Sequence, residues 1–295
     1  MESMPTALVL CRLAHFAATM LLFGAGAFVW ALAPQSLARE LAGPMRRMAA
    51  AAIVVAAATV LAWFALEAGQ MGDGWCDTVN PDTLRAVAFE TAFGQVWLWR
   101  IGLALVLVGA LCVGRHDRWA FVVPVSAMLL ASLGLVGHAA MRDGALGALH
   151  RLNHALHLLC AGAWLGALPP LVLCLKRCRD PSLRFVAATA LRRFSGLGHF
   201  VVALVVLTGI VNTMLALGHW PADFASPYQM LLAAKILLVA VMIGLALVNR
   251  YVLTPRVKKQ NGGALRALAA SSIVEIGLGA AVLALVSVFG TLAPI

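Results

Sequence analysis

Charged residues are scarce in this 295-residue chain. They make up 12% of the sequence, whereas 62% of the residues are hydrophobic and the mean hydropathy is +0.93. This scarcity excludes a soluble globular protein, because apolar runs long enough to cross about 30 Å of hydrocarbon recur along the whole chain. No stretch is left over for a sizeable soluble domain. We therefore predict a single integral membrane domain that comprises residues 1–295.

Several catalytic and nucleotide-binding motifs are also missing. The sequence has no GxxxxGK[ST] phosphate-binding loop, no GxSxG nucleophile elbow and no HExxH zinc motif. These absences argue against ATP-driven pumping by this chain alone and against the two most easily recognised kinds of membrane hydrolase. We predict that the protein is not an enzyme.

The sequence also lacks a disulfide framework and a basic N-terminal signal region. Its six cysteines lie mostly inside or at the ends of apolar runs, unlike the cysteines of small secreted proteins. Residues 31–34, ALAP, resemble a signal-peptidase site, but Pro34 would disfavour cleavage there. The first apolar segment is therefore predicted to be a retained helix.

The sequence does contain eight apolar runs that are long enough to span a membrane as helices. They predict an all-α polytopic bundle with spans at residues 8–32, 46–68, 90–113, 119–139, 150–175, 193–217, 229–250 and 266–292.

The net charge of +10 is concentrated in alternate loops between these spans. Sixteen basic residues follow the odd-numbered spans: Arg39, Arg46, Arg47, Arg115, Arg118, Lys176, Arg177, Arg179, Arg184, Arg192, Arg193, Arg250, Arg256, Lys258, Lys259 and Arg266. The opposite loops hold only Arg85, Arg142 and Arg151. Because basic loops stay in the cytosol, both termini are predicted to be periplasmic. The positive charge is thus explained by membrane topology, and nucleic acid is not an expected partner.

Three histidines form a column on the fifth predicted span. At 100° per residue, His150, His154 and His157 fall within about 60° of arc and roughly 10 Å of helix rise. Ionisable residues are rare inside a bilayer and usually functional, and neutral imidazole is the commonest metal ligand. The alternative is that His150 lies at the interface and that the other two make hydrogen bonds between helices.

The candidate metal site at the periplasmic end is built around this column. His154 and His157 can chelate together, and His15 of the first span lies at a similar predicted depth. His150, His138 and Met141 are predicted to form a shallower ring that receives the ion first. Two or three ligands at each position suit an ion that must move on.

A second, weaker candidate lies at the cytosolic end. Cys174 and Cys178 are one helical turn apart, and Cys112 ends the third predicted span. Thiolates there would suit the exit of a soft cation, although cysteines at a helix end are more often small packing residues.

Buried cations are the last feature of the predicted spans. Arg100 and Lys235 lie near the depth of Glu67 and Glu90, so ion pairs between these spans are expected.

Several short motifs resemble a known family in their order and spacing. They are RLAH with Arg12 and His15, TAFGQVWLWR ending at Arg100, HRLNHALHLLCAGAWLG from His150 to Gly166, RFS with Arg193 and Ser195, TGIVN with Thr208, Gly209 and Asn212, Pro227 and Tyr228, LLAAK ending at Lys235, and NRYVLTP beginning at Asn249. Together they resemble the CopD/PcoD copper-resistance family of bacterial inner-membrane proteins, especially its short, unfused members of the YebZ type. Gln229 departs from the glycine expected after the tyrosine.

The resemblance implies that the protein moves copper, with Cu(I) favoured, from the periplasm to the cytoplasm through a bacterial inner membrane. It also implies a small periplasmic partner of the CopC type. Two alternatives remain at this stage. The protein could be an electron carrier that holds haem b between His15 and His157, or a membrane scaffold for a periplasmic copper-binding protein. The oligomeric state is not predicted.

Overall fold

The computed structural model describes residues 3–112, 118–137, 143–258 and 262–293, and these residues are almost entirely helical. Their α-helices are α1 (Ser3–Ala27), α2 (Gln35–Met71), α3 (Pro81–Glu90), α4 (Ala92–Gly109), α5 (Arg118–Ala131), α6 (Gly144–Leu165), α7 (Leu168–Arg177), α8 (Arg184–Leu217), α9 (Pro227–Val248), α10 (Thr254–Lys258) and α11 (Gly262–Phe289). Short π-helical segments, Phe28–Leu32 and Asn249–Leu253, follow α1 and α9, and 3-10 turns occur at Trp75–Thr78 and Ser132–Leu135. The prediction of an all-α fold is confirmed.

Within the described residues, eight helical segments are long and apolar enough to cross a membrane, as predicted. They are Met4–Leu32, Gln35–Met71, Ala92–Gly109, Arg118–Leu135, Gly144–Arg177, Arg184–Leu217, Pro227–Val257 and Gly262–Phe289. Two of them begin about ten residues earlier than expected, because α2 and α8 start at Gln35 and Arg184 and run through basic residues such as Arg39 and Arg192. Long basic side chains tolerate this position, since their stems can lie on apolar surface while the charges reach water.

Helix α1 lies at the centre of the bundle, where it packs against α2, α5, α6 and α11. Helix α8 packs mainly on α6, and α9 on α11, at the periphery. Only 11% of the most apolar stretch of the seventh span is buried, against 61% for the fifth span. The large exposed side chains of α8 and α9, such as Leu207 and Leu237, therefore form a surface suited to lipid.

Glycines bring α1 and α6 into backbone contact. A Cβ atom on Gly24 would lie 2.2 Å from the carbonyl oxygen of Gly162, and one on Gly166 would lie 1.9 Å from that of Met20. Gly162 and Gly166 form a GxxxG pair, the spacing that lets membrane helices approach closely. This contact fixes α6, with its histidines, against the central helix.

The turn between α2 and α3 is organised by Asp77. Its carboxylate accepts hydrogen bonds from the backbone N–H of Asp73, the hydroxyl of Thr83 and the amide of Asn80. These bonds hold the pKa of Asp77 below its ordinary value, because they favour the ionised form. They shape the longest predicted periplasmic loop.

The expected ion pairs of the buried cations do not form within the described residues. Arg100, which is fully buried, donates to the carbonyl of Leu129, the hydroxyl of Ser132 and the ring Nε2 of His15. The Lys235 ammonium lies 5.8 Å from the centre of the Phe289 ring. The described residues hold an ion pair only between Arg177 and Glu40, at 3.2 Å. The sequence prediction was wrong because carbonyls, a hydroxyl and aromatic faces serve the cations in place of carboxylates.

The direction of the bundle across the membrane is open to a direct test. A reporter fused within residues 70–85 is expected to lie in the periplasm, and one fused within residues 178–190 in the cytosol. The reason is that the basic residues cluster in the loops at the end of the bundle that includes residues 178–190. If the first fusion lay in the cytosol and the second in the periplasm, the predicted orientation of the bundle would be reversed. The two ends of the bundle are called the predicted periplasmic and cytosolic ends below.

Candidate functional site

A cavity of about 380 Å³ lies at the predicted periplasmic end. All eight spans contribute to its wall, the odd-numbered ones near their beginnings and the even-numbered ones near their ends, as an antiparallel bundle requires. His150, His154 and His157 line it together with Arg12, Glu67, Asn212, Tyr228 and Lys235. The structure therefore places the whole histidine column on one cavity.

His157 is fixed in one tautomer by Thr208 of α8. Its Nδ1 lies 2.9 Å from the Thr208 hydroxyl, and that hydroxyl donates its single hydrogen to the carbonyl of Leu204 in its own helix. The hydroxyl can only accept from the ring, so the hydrogen of the neutral imidazole is on Nδ1. The Nε2 lone pair of His157 is thus the one suited to bind a metal ion.

His154 is held in the opposite tautomer by a pair of asparagines. Asn153 donates to the backbone carbonyl of Thr208 and to Oδ1 of Asn212, at 2.9 Å each. This fixes the orientation of the Asn212 amide, whose Nδ2 faces Nδ1 of His154 at 3.3 Å. Nδ1 of His154 therefore accepts, and the ring hydrogen is on Nε2. A metal bound at Nε2 of His154 would require the hydrogen to move.

His150 lies one turn closer to the helix start and is 4% exposed. It lines the same cavity.

His15 is not brought into the cavity. Its Nδ1 lies 2.9 Å from the Thr59 hydroxyl and its Nε2 2.6 Å from the Arg100 guanidinium, which can only donate. Both ring nitrogens are thus engaged in a buried network between α1, α2 and α4. The structure does not support His15 as a ligand beside His154 and His157, because its ring contacts α2 and α4 and does not line the cavity.

His138 and Met141, the other predicted members of the shallower ring, lie outside the described residues.

The charged groups around the cavity are mixed in sign. The Arg12 guanidinium lies 5.0 Å from the centre of the Trp63 ring, and Glu67 accepts a hydrogen bond of 3.0 Å from the Trp63 indole. Lys235 lies on the opposite wall. A single carboxylate beside two cations does not suit a Mg²⁺ or Ca²⁺ site, which needs several oxygen ligands.

Cys174 and Cys178 are packed inside an apolar cluster between α7 and α8. Cys174 is fully buried with its sulfur 3.4 Å from the carbonyl of Ala187, and Cys178 is 6% exposed. Cys112 is exposed just after α4, outside that cluster. Among the described residues, no group of three or more histidine, cysteine or acidic side chains is assembled as a metal site.

Sequence reasoning did not assign roles to Thr208 and Asn212, which orient the histidines. The available signal was their spacing: two polar residues four apart in an apolar span share one helix face.

Comparison with known proteins identifies the family of the chain. Residues 1–148 match the family model of the copper resistance protein D-like N-terminal domain, and residues 188–289 match that of copper resistance protein D. A short match to an armadillo/beta-catenin-like repeat covers residues 165–195, which here form the end of the fifth span and the start of the sixth. No solved structure matches the chain.

Three curated relatives are similar to the chain over most of its length. The inner membrane protein YebZ of Escherichia coli (strain K12) is 38% identical over 96% of this chain and 97% of its own. Copper resistance protein D of Pseudomonas syringae pv. tomato is 32% identical over 70% of each chain. Copper transport protein CutJ of Bacillus subtilis (strain 168) is 29% identical over 75% of this chain and 40% of its own. With eight apolar helices and these relatives, the chain is a multi-pass protein of the bacterial inner membrane that belongs to the copper resistance protein D family.

Proposed function

We propose that this protein carries copper from the periplasm to the cytoplasm and that the histidine-lined cavity is the outer binding site for the ion. The observation that carries the proposal is the orientation of His157, whose Thr208 contact directs the metal-binding Nε2 away from α8. Imidazole ligands suit copper, and few carboxylates compete for a harder ion.

The two tautomers support binding in two stages. Copper is first taken by Nε2 of His157, and His154 joins when the Asn212 amide releases its Nδ1. A site with one ligand already in position binds the ion with moderate affinity. Moderate affinity lets the ion leave for the next site. His150, with His138 and Met141 as the remaining proposed ligands, receives the ion before it reaches this pair.

A thin barrier closes the inner side of the cavity. Leu165 lines the cavity and packs against Gly279 of α11, where an added Cβ would lie 2.8 Å from the leucine Cδ2. The preceding residue, Trp164, faces a different cavity at the cytosolic end. Transport must therefore open the packing between the two cavities, and Cys174 and Cys178 are the proposed exit ligands beyond it, with Cys112 as a third.

The direction of transport is supported by the membrane potential. An inward-moving Cu(I) ion gains about 2.3 kcal/mol per 100 mV, so no ATP is required. A small periplasmic protein of the CopC type is the proposed donor of the ion.

The chain is proposed to act as one membrane domain, residues 1–295. The cavity supports this because its wall combines residues of both matched segments, such as Arg12 and Asn212.

The haem alternative is not supported by the geometry. Among the described residues, the histidines that line this cavity all come from α6, and both nitrogens of His15 are engaged elsewhere. A pair of axial ligands from two helices is therefore not in place.

The proposal is tested by removing the Thr208 hydroxyl. Thr208→Val keeps the shape of the side chain but leaves the His157 ring without its acceptor, so the affinity of the purified protein for Cu(I) is expected to fall about 10–100-fold. The affinity would be measured by competition with a chelator of known strength.

Thr19→Val is the matched control. Thr19 is also a buried threonine on a membrane helix, its hydroxyl bonds the carbonyl four residues earlier, that of His15, at 2.7 Å, and it does not line the cavity. It is expected to leave the copper affinity unchanged. Equal affinities in the two variants would contradict the role of His157, and wild-type copper binding without uptake would favour the scaffold alternative.

A further inference from the structure

A second cavity, of about 260 Å³, lies at the predicted cytosolic end, beyond the barrier formed at Leu165. Its wall comes from the end of the fifth span, the start of the sixth, the end of the seventh and the start of the eighth. Its polar lining includes Ser195, His199, Asn249, Arg250, Ser272 and Glu275. None of these residues belongs to the histidine cavity.

Glu275 is a buried carboxylate without a cationic partner. It is 2% exposed, and within the described residues no lysine, arginine or histidine nitrogen lies within 4.0 Å of it. It accepts hydrogen bonds from Nδ2 of Asn249 and from the side chain of Trp164. Two neutral donors do not balance a full negative charge at this depth, so a positive charge is missing from the site.

Asn249 adds a second unsatisfied oxygen. Its side-chain Oδ1 is buried and has no hydrogen-bond partner, although the residue is only 9% exposed and lines the cavity. Reversing the amide would not help, because Oδ1 would then face the Glu275 carboxylate and the N–H groups would be left unpaired.

Two nearby hydroxyl groups present only lone pairs to the cavity. The hydrogen of Ser272 is donated to the carbonyl of Leu268, and that of Thr254 to the carbonyl of Asn249. The side-chain oxygens of Glu275, Asn249, Ser272 and Thr254 therefore line the same cavity as acceptors without spare hydrogens. Such a set calls for an occupant that carries positive charge.

The backbone is irregular at this point. Asn249 begins the π-helical segment Asn249–Leu253, in which its carbonyl accepts from both the N–H and the hydroxyl of Thr254. Single π-helical turns occur often at functional sites, and interrupted membrane helices commonly supply ion ligands.

The other charged and titratable groups of the cavity limit the charge of the occupant. Arg250 donates to the carbonyl and hydroxyl oxygens of Ser195, and His199 hydrogen-bonds the Tyr251 hydroxyl at 2.7 Å. Arg250 is held by Ser195 and, within the described residues, forms no ion pair with Glu275, so it does not neutralise the carboxylate. The one carboxylate can therefore match a single positive charge but not a divalent ion.

We propose that the Glu275 cavity is a second ion site, which binds a hard monovalent cation, an alkali ion or a proton, through oxygen atoms. It is distinct from the copper site, because oxygen ligands suit hard cations whereas Cu(I) prefers softer ones. The proposal goes beyond copper transport and does not depend on it.

The test uses the purified full chain without copper. Its thermal unfolding midpoint would be measured at one ionic strength in NaCl, KCl and choline chloride, and in choline chloride across a range of pH. We expect one alkali cation to raise the midpoint by about 2–4 °C relative to choline, since a bound ion stabilises the folded state. A shift with pH in choline alone would identify a proton as the occupant.

Glu275→Gln decides whether the response belongs to this site. The glutamine keeps an oxygen for Asn249 and Trp164 but removes the charge, so the cation or pH response is expected to disappear. Glu67→Gln, which changes the carboxylate of the copper cavity, is expected to keep it. If Glu275→Gln does not fold, Ser272→Ala is expected to reduce the response by removing one oxygen.

A wild-type midpoint that is the same in all three salts and independent of pH would overturn the proposal, as would a response that Glu275→Gln retains. Either failure leaves the copper measurements on Thr208→Val unaffected.

Discussion

His157→Ala is expected to lower the affinity for Cu(I) by at least about 100-fold and to reduce cellular copper uptake to background. The magnitude follows because loss of a residue that merely orients a ligand costs about 10–100-fold, and here the ligand itself is removed. His157 supplies the Nε2 lone pair that its contact with Thr208 leaves available. Chelator competition on purified protein and metal analysis of whole cells measure the two effects.

His219→Ala is the control, because His219 is exposed and its Nδ1 contacts the carbonyl of Trp220 beside it. It is expected to match the wild type in both measurements. His154→Ala is expected to weaken binding less than His157→Ala, since Nδ1 of His154 must first be released by the Asn212 amide before it binds. Wild-type affinity in both His157→Ala and His154→Ala would show that the cavity is not the copper site.

His15→Ala separates binding from stability. The ring of His15 accepts a hydrogen bond from the fully buried Arg100. Its loss removes an acceptor from a buried charged group, so the substitution is expected to destabilise the fold. The copper affinity is expected to stay within a few fold of the wild type.

Gly166→Ala is expected to lower the free energy of unfolding by about 3 kcal/mol, at the upper end of what overpacking costs. The added Cβ would lie 1.9 Å from the backbone oxygen of Met20, and a backbone atom cannot swing aside as a side chain can. Helices α1 and α6 must therefore separate. Denaturant unfolding in detergent measures the loss.

Gly244→Ala is the matched control for that substitution. Gly244 also lies inside a membrane helix, α9, but nothing approaches within 4 Å of an added Cβ. The change is expected to be neutral or to stabilise by up to about 1 kcal/mol through helix propensity. Equal stabilities of the two variants would mean that the close approach of α1 and α6 does not determine the packing.

The eight spans and the shared face of the histidines could be predicted from sequence because both depend on local regularities. Hydrocarbon thickness sets the length of a span, and helix periodicity sets the position of His150, His154 and His157 on one cavity. Neither inference requires knowledge of which helices are neighbours.

The roles of His15 and Arg100 could not be predicted because they depend on how α1, α2 and α4 pack. Depth along a helix follows from sequence, but the direction in which His15 faces depends on the partner helix. The same holds for Asn249 and Glu275, which are 26 residues apart and meet only through the packing of α9 against α11.

The shared wall of the histidine cavity has a consequence for how the protein is made. Side chains of all eight spans contribute to it, and Arg12 of the first helix lies against Gly290, just beyond the end of the last. During synthesis the first helix is therefore inserted before its last neighbour, and the Arg12 guanidinium is incompletely enclosed until the eighth span enters the membrane. A chain that stops before the eighth span would hold the three histidines of α6 without the complete cavity that they line.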